Sequence, residues 1–207
     1  MCIMVQEVLI VKDESRGRTQ AERRARTQGA LIDAARSLFA ERGYAGAGRE
    51  EIVARAGVTR GAMYHHFASK EDLFRAVFET VERDLCDAVA VAAFAATDPV
   101  EQLRRGAQAF LDAAATPEVR RIVLLDAPSV LPVELRRQLS ERYGLGLVRE
   151  ALRTVDAAGR LAIGPIEPLA ALVLAALHEA ATAIADGADA DSMRAVVAGL
   201  IDRLTTD

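Results

Sequence analysis

Apolar residues recur along most of this chain at intervals of three and four, which is the spacing of one face of an α-helix. The first clear stripe consists of Leu31, Ala34, Ala35, Leu38 and Phe39. The chain has no run in which β-branched and polar residues alternate, as they do in a half-buried strand. The pattern therefore predicts an all-α fold.

Between residues 49 and 70 the helical pattern breaks into two short segments. Ile52 supplies an apolar position on the first segment, and Gly57 is expected to end it. The second segment runs from about residue 58 to residue 66 and contains Met63. Two short helices joined by a tight glycine turn predict a helix-turn-helix motif.

A longer helix is predicted for residues 69–97. Ser69 and Asp72 have the spacing of an N-terminal capping box, so the helix is expected to begin at Ser69. The residues that continue its apolar stripe are Leu73, Phe74, Val77, Phe78, Val81 and Leu85.

Prolines divide the rest of the chain into further helices. Pro99 and Pro117 each fit the first turn of a helix, and Pro128 and Pro132 flank a predicted break. Predicted helices follow at residues 133–158, 169–185 and 191–204. The last two are expected to pair with a second copy in a four-helix interface. The expected contact residues are Leu174, Leu177, Ala181, Met193, Val197, Leu200 and Leu204.

The net charge of −4 is unevenly distributed. Residues 12–80 hold thirteen Arg and Lys residues against ten Asp and Glu residues, so this segment is +3 and the remainder is −7. Screening limits electrostatic reach to about 10 Å at ~0.1 M salt, so local charge matters more than the total. The asymmetry permits nucleic-acid binding near the N-terminal end. The basic cluster from Arg16 to Arg26 is either an arm for the DNA minor groove or a solvated tail.

The cysteines and histidines do not predict a metal or redox site. Cys2 and Cys86 have no spacing typical of a disulfide or metal framework, which favours free thiols in a reducing cytosol. His65 and His66 are adjacent, so on a helix they would point about 100° apart. The sequence predicts no cofactor and no metal.

The outward positions of the second short helix carry residues suited to DNA. Arg60 can read guanine through two hydrogen bonds or hold a phosphate. Gly61 and Ala62 are small enough for the helix to approach base edges closely. Tyr64 and His65 have the reach for phosphate oxygens.

The segment from about residue 26 to residue 85 resembles the DNA-binding domain of the tetracycline-repressor (TetR) family. The resemblance rests on VTRGAMYHHF at residues 58–67 and KEDL at residues 70–73. It implies an all-α homodimer with a divergent C-terminal ligand-binding domain, usually a repressor. Two-fold symmetry would then require a near-palindromic operator. The residues that would face bases are Thr59, Arg60, Gly61 and Ala62, and those that would hold the DNA backbone are Tyr64, His65 and Lys70.

One position departs from the family pattern. Gly48 stands where the family usually has a serine or threonine that caps the helix and also touches phosphate. Glycine still caps acceptably. The phosphate contact is therefore expected from Arg49 or from a backbone amide.

The predicted organisation has a flexible extension at residues 1–18, a helix-turn-helix domain at 19–70 and a helical effector-binding and dimerising body at 71–207. A small, largely apolar effector is expected to shift the long helix and lower operator affinity. A coupling of about 1–3 kcal/mol would give a 5–150-fold response. The candidate ligand contacts are Phe110, Asp126, Tyr143 and His178.

Other classes of protein stay open at this point. The absence of a glycine-rich phosphate loop, a nucleophile elbow and a helical zinc motif disfavours an enzyme. A helical hairpin with no DNA role, or a small-molecule-binding protein that has lost DNA binding, would also fit the apolar pattern. A membrane span at residues 169–185 is disfavoured by its shortness and by His178 and Glu179 at its middle. The prediction is therefore a cytoplasmic protein.

Overall fold

The computed structural model describes the backbone of residues 3–206 and the side chains of residues 20–206. The predicted all-α class is confirmed, and the extended pairing within this range is a single bridge between Leu161 and Thr205. The predictions for residues 1–18, including Cys2, Arg16 and Arg18, concern side chains outside the described residues. The helices are α1 (Ile3–Gly46), α2 (Arg49–Ala56), α3 (Arg60–His66), α4 (Lys70–Phe94), α5 (Pro99–Ala114), α6 (Pro117–Val119), α7 (Ala127–Val130), α8 (Val133–Ser140), α9 (Gly146–Ala157), α10 (Ile166–Ala185) and α11 (Ala190–Leu204), with π-helical turns π1 (Arg120–Asp126) and π2 (Glu141–Leu145).

The N-terminal helices surround an aromatic cluster. The ring centroids of Phe39 and Phe74 lie 5.2 Å apart, and that of Tyr44 lies 5.1 Å from Phe74. Edge-on contacts of this kind add to the free energy gained by burying the rings. The cluster ties α1 to the start of α4, and α2 and α3 pack against α1.

Two turns of the helix-turn-helix form as the sequence predicts. Gly57 ends α2 in the left-handed conformation, with φ of 64°. The Ser69 hydroxyl accepts a hydrogen bond from the Asp72 amide at 2.9 Å and donates one to the Asp72 carboxylate. Thr59 caps α3 by accepting a hydrogen bond from the Ala62 amide at 3.2 Å. The three caps therefore fix the end of α2 at Gly57, the start of α3 at Thr59 and the start of α4 at Ser69.

Gly43 bends α1 near its C-terminal end, with φ of 73°. A Cβ at this position would overlap the Arg121 guanidinium. We expect Gly43→Ala to lower the free energy of unfolding by about 1–3 kcal/mol, because the left-handed backbone is strained for alanine and Arg121 must move. Gly29→Ala is the matched control, since Gly29 is on the same helix with no atom within 4 Å of an added Cβ. The control should be neutral or stabilising by up to about 1 kcal/mol. Equal loss of stability in both variants, measured by urea unfolding, would contradict this account.

The body is a bundle in which α4 packs along α5, and α9 and α10 close the other side. Pro99 and Pro117 occupy first turns of helices, as predicted. The helix predicted at residues 133–158 is instead interrupted by π2, and Pro128 lies within α7. The helical pattern of apolar residues continues through Gly144 and Gly146, so the spacing does not reveal the π-helical turn, and Pro128 is tolerated in the first turn of α7.

Helix α10 is long and apolar enough to cross a membrane, with mean hydropathy of 1.6 over its most apolar stretch. Its buried positions include Ala170, Leu177 and Ala181, which belong to the same core as α4 and α5. A helix that is apolar all round is typical of a buried core element as well as of a membrane span. In this structure α10 packs as a core helix of the body.

Candidate DNA interface and ligand cavity

The exposed face of α3 presents the residues predicted to face DNA. Thr59, Arg60, Gly61, Tyr64 and His65 are all exposed, and Ala62 is half-buried between them. Met63 points inward and is 1% exposed. One side of this short helix is thus anchored in the core, and the other carries small and polar residues that can approach base edges and phosphates.

A cluster of two arginines and a tyrosine joins α2 to α3. Arg49 donates a hydrogen bond to the Tyr64 hydroxyl at 3.1 Å, and the Arg60 guanidinium lies 5.8 Å from the centre of the Tyr64 ring. The guanidinium groups of Arg60 and Arg49 lower the pKa of Tyr64. Glu50 lies 3.5 Å from Arg60. Arg49 and Arg60 carry two positive charges on this face, and Glu50 carries one negative charge. The net positive charge favours the binding of a phosphate group.

Two further positions of interest in the sequence, Gly48 and His66, lie at the start of α2 and at the end of α3. Gly48 is the N-cap of α2 and has no side-chain cap, so Arg49 at the first turn is the adjacent basic group. His66 is half-buried, and its pKa is lowered by burial and by the neighbouring His65 and Arg24. Among the described residues there is no cluster of three or more side chains able to hold a metal ion.

Lys70 is less available to DNA than the sequence suggests. Its amine donates a hydrogen bond to the Tyr44 carbonyl and lies 4.4 Å from the centre of the Tyr44 ring. Burial lowers the pKa of this amine. In this structure Lys70 therefore fixes the last turn of α1, after the bend at Gly43, and a phosphate contact would require it to leave Tyr44.

Asp126 connects the last turn of α1 to the body. Its carboxylate accepts a hydrogen bond from the Tyr44 amide at 2.6 Å and lies 3.4 Å from Arg121. A second connection is made by Arg36, which forms a two-pronged bridge to Glu118 with distances of 2.7 and 2.8 Å and also pairs with Asp84. These half-buried charge pairs hold the DNA-binding helices against α4, α6 and π1.

An apolar cavity of about 100 Å³ lies in the body between α4, α5, α9 and α10. Of the predicted ligand contacts, Phe110 and His178 line it, and their ring centroids lie 5.5 Å apart. Asp126 and Tyr143 do not line this cavity, so it gives no support to their predicted contact with a ligand. Asp126 sits at the junction described above, and the Tyr143 hydroxyl donates a hydrogen bond to Glu79 at 2.9 Å.

The sequence reasoning missed Glu82, a carboxyl group in the cavity wall that is 6% exposed. It is four residues after Phe78 and three before Leu85, so helical spacing places it among the apolar positions of α4. Burial raises the pKa of Glu82 to about 7. A charged residue inside an apolar stripe was the signal that would have identified it.

Glu82→Gln is expected to stabilise the protein at alkaline pH. The pKa of Glu82 is about 7 in the folded chain against an ordinary 4.5, so the folded state binds the extra proton between these values. Stability therefore falls as pH rises through this window, by up to about 3 kcal/mol. The glutamine variant should gain that difference at pH 8 and none at pH 4.5, as measured by chemical unfolding. The exposed Glu22→Gln is the control, and a pH-independent effect of Glu82→Gln would contradict the assignment.

The faces of α10 and α11 differ from the predicted dimer contacts. Leu174 and Ala181 are buried inside the protomer and lie outside the apolar groove between the two helices, so the structure disfavours them as contacts. Leu177, Val197 and Leu204 form the floor of this groove, and Met193 is half-buried. The large apolar residues exposed there are Leu172, Val196 and Leu200, at 68%, 58% and 47% exposure.

Two family patterns match this chain. The family described as bacterial regulatory proteins, tetR family, matches residues 31–77, and the tetracyclin repressor-like C-terminal domain matches residues 100–207. Together they cover the exposed α2–α3 face and the cavity-bearing body.

Known proteins resemble the chain in sequence and structure. A TetR-family regulator from Pectobacterium atrosepticum is 30% identical, with a TM-score of 0.77 over 90% of this chain and 97% of that one. The transcriptional activator FasR of Mycolicibacterium smegmatis is 40% identical over 85 residues, which are 41% of this chain and 39% of FasR. The regulator CymR of Pseudomonas putida is 52% identical over 62 residues, 30% of each protein. The chain thus spans less than half the length of these two curated relatives.

The two family patterns agree with the geometry of the segments that they match. A helix-turn-helix with an exposed basic face lies where the N-terminal family pattern matches, and a helical bundle lies where the C-terminal pattern matches. A solved relative shares this arrangement over nine-tenths of the chain. This chain belongs to the TetR family of DNA-binding transcriptional regulators.

Proposed function

We propose that this protein is a cytoplasmic homodimer that represses transcription from a near-palindromic operator and is released by a small molecule bound in its body. The observation that carries the proposal is the exposed α3 face, where Arg60, Tyr64 and Thr59 stand beside the small Gly61 and Ala62. Such a face fits the major groove, where side chains read base edges and hold phosphates.

The dimer would place the two α3 helices about 34–36 Å apart, one turn of DNA. The exposed apolar residues of α10 and α11 support pairing through these helices. A group of large apolar side chains on an otherwise polar surface is typical of a protein–protein interface. We assign the contact to Leu172, Val196 and Leu200, around the groove floored by Leu177, Val197 and Leu204.

The route from cavity to DNA would run through α4 and π1. The cavity is lined by α4, which begins beside α3, and by α10, which packs against π1. At the end of π1, Asp126 holds the Tyr44 amide. A ligand that displaces α4 or α10 would therefore shift the DNA-binding helices, and about 1–3 kcal/mol of coupling suffices for release.

The direction of regulation depends on where the operator lies relative to the promoter. The related FasR is named an activator, whereas BepR of Brucella suis, 36% identical over 107 residues, is named a repressor. A promoter fusion in cells with and without this protein separates the two. Higher expression without the protein supports repression, and lower expression supports activation.

Arg60→Ala is the sharpest test of the α3 assignment. We expect operator binding to weaken by about 1–3 kcal/mol and to discriminate less well at one base position, because Arg60 is the longest basic side chain on α3. Fluorescence anisotropy at fixed salt measures both effects. Arg105→Ala is the matched control, since Arg105 is exposed on α5 and pairs with Glu101 at 2.8 Å. Equal affinities for the two variants would refute the assignment.

A further inference from the structure

The cavity of the body has an unusual charge balance. Its acidic lining residues are Glu82 and Glu150, and no arginine or lysine lines it. The remaining lining is almost wholly apolar, contributed by α4, α5, α9 and α10. A ligand that enters would meet negative or neutral groups only, which disfavours an anion.

Glu82 is the group that the fold leaves without a partner. Its side chain is 6% exposed, and burial is the one cause that raises its pKa, with no hydrogen bond or charge from residues 20–206 acting on it. Burying a carboxyl group without a partner costs free energy, because the group loses its contacts with water. No side-chain partner within the described part of the chain offsets this cost for Glu82. Because Glu82 lines the cavity, a molecule bound there can supply the missing partner.

The neighbours of Glu82 also suit a positive charge. His178 is largely buried, and burial lowers its pKa, so the ring is neutral at pH 7 and can accept a hydrogen bond. Phe110, which stacks on His178, and Phe94, near the open end of the cavity, present aromatic faces. Aromatic faces attract cations. The second acidic residue, Glu150, has a side chain that is 71% exposed and lies 3.8 Å from Arg153, so its charge is partly offset and Glu82 is the main acidic group for a bound cation.

Two arginines line a second groove that shares Glu82 with the cavity. These arginines are Arg136 and Arg137, and the groove also shares His178 with the cavity as its wall. Arg137 is paired with Glu134 at 2.8 Å and Glu141 at 2.7 Å. The Nε of Arg136 is buried with no hydrogen-bond partner among the described residues. Arg136 is therefore the internal group that a ligand would have to compete with, and the test must include it.

The size of the cavity limits the ligand. Its volume is about 100 Å³. An apolar cavity of about 150 Å³ in another protein holds benzene. The cavity is smaller than that, so a ligand with one ring or a short branched chain requires the lining to move outward, and a long acyl chain would require a larger movement.

We propose that the cavity binds a small organic monocation, with its ammonium group on the Glu82 carboxylate and its single ring or short chain against Leu103, Ala107 and Leu147. This inference rests on the proposed function in one respect, which is that the cavity is the site where the effector binds. The ammonium group supplies the positive charge that Glu82 lacks. Its binding stabilises the ionised form of the Glu82 carboxyl group.

Three probes of matched shape test the charge requirement: benzylamine, benzyl alcohol and benzoate. Binding to the full-length protein is measured by calorimetry at pH 8, where Glu82 is ionised and benzylamine is still protonated. We expect benzylamine to bind, benzyl alcohol to bind more weakly and benzoate not to bind. Benzoate binding as tightly as benzylamine would overturn the proposal.

Two variants assign the charge to one residue. Glu82→Gln should weaken benzylamine binding about 10- to 150-fold, the range for a hydrogen bond to a charged group, and change benzyl alcohol binding far less. Arg136→Gln should leave benzylamine binding equal or tighter. Unchanged benzylamine binding in Glu82→Gln, or its loss in Arg136→Gln, would overturn the proposal. Unfolding curves for both variants confirm that each is folded before binding is compared.

The inference and the proposed function fail in different ways. Operator affinity is measured separately, with and without benzylamine. Glu82-dependent binding that leaves operator affinity unchanged supports the cation site and contradicts effector release. Operator binding that another small molecule reverses, with no benzylamine binding at all, supports the regulator and overturns the cation site.

Discussion

Replacing Leu172 and Leu200 together with glutamate is expected to convert the dimer to a monomer and to weaken operator binding by about two to four orders of magnitude. Both side chains are exposed on the isolated chain, at 68% and 47%, and they flank the apolar groove between α10 and α11. Four glutamates in one two-fold interface would repel each other and require desolvation. A monomer loses the gain that comes from binding two half-sites at once, which is the source of the expected factor.

Sedimentation velocity measures the oligomeric state, and anisotropy with a two-half-site operator measures affinity. Val91→Glu is the matched control, because Val91 is 74% exposed on α4 and lies outside the groove. The control should remain dimeric and bind DNA normally. A dimer that survives the double substitution would place the interface on another face.

Phe74→Ala is expected to lower the free energy of unfolding by about 3–5 kcal/mol. Phe74 is 0% exposed and contacts the rings of both Phe39 and Tyr44, so its loss leaves a cavity at the junction of α1 and α4. That cost is a large share of the roughly 5–15 kcal/mol that holds a typical domain folded.

Phe94→Ala is the control on the same helix, since Phe94 is 72% exposed. Its change should stay within about 0.5 kcal/mol. Both values come from urea unfolding followed by circular dichroism. Similar losses for the two variants would mean that the aromatic cluster does not hold the N-terminal helices in place.

Local signals in the sequence were enough to predict the helix-turn-helix. Gly57 and the Ser69–Asp72 cap act through neighbouring backbone groups, so their effect can be read from short spacings. The outward residues of α3 follow from the inward position of Met63. The placement of this face therefore needed no knowledge of the tertiary structure.

Contacts between distant segments could not be predicted in this way. Tyr44 and Asp126 are 82 positions apart, and nothing near either residue indicates the hydrogen bond between them. The sequence predicts a phosphate contact for Lys70, and its hydrogen bond to the Tyr44 carbonyl becomes visible only in the fold. The partner of a charged side chain therefore cannot be read from neighbouring residues alone.

Helix α10 shows a different limit. It is apolar on nearly every side, so periodicity does not tell which side faces the protomer's own core. The fold buries Leu174 and Ala181 and leaves Leu172 exposed. Glu82 is the reverse case, because its place among apolar positions was visible in the sequence but its lack of a partner was not.

The central claim is that α3 reads a specific operator. The most direct measurement is selection of bound fragments from genomic DNA by the purified protein at stated salt, alongside its Tyr64→Ala variant. The account predicts enrichment of one near-palindromic site by the protein and loss of that enrichment in the variant. Enrichment of the same site by both proteins, or of no site by the unaltered protein at low salt, would contradict it.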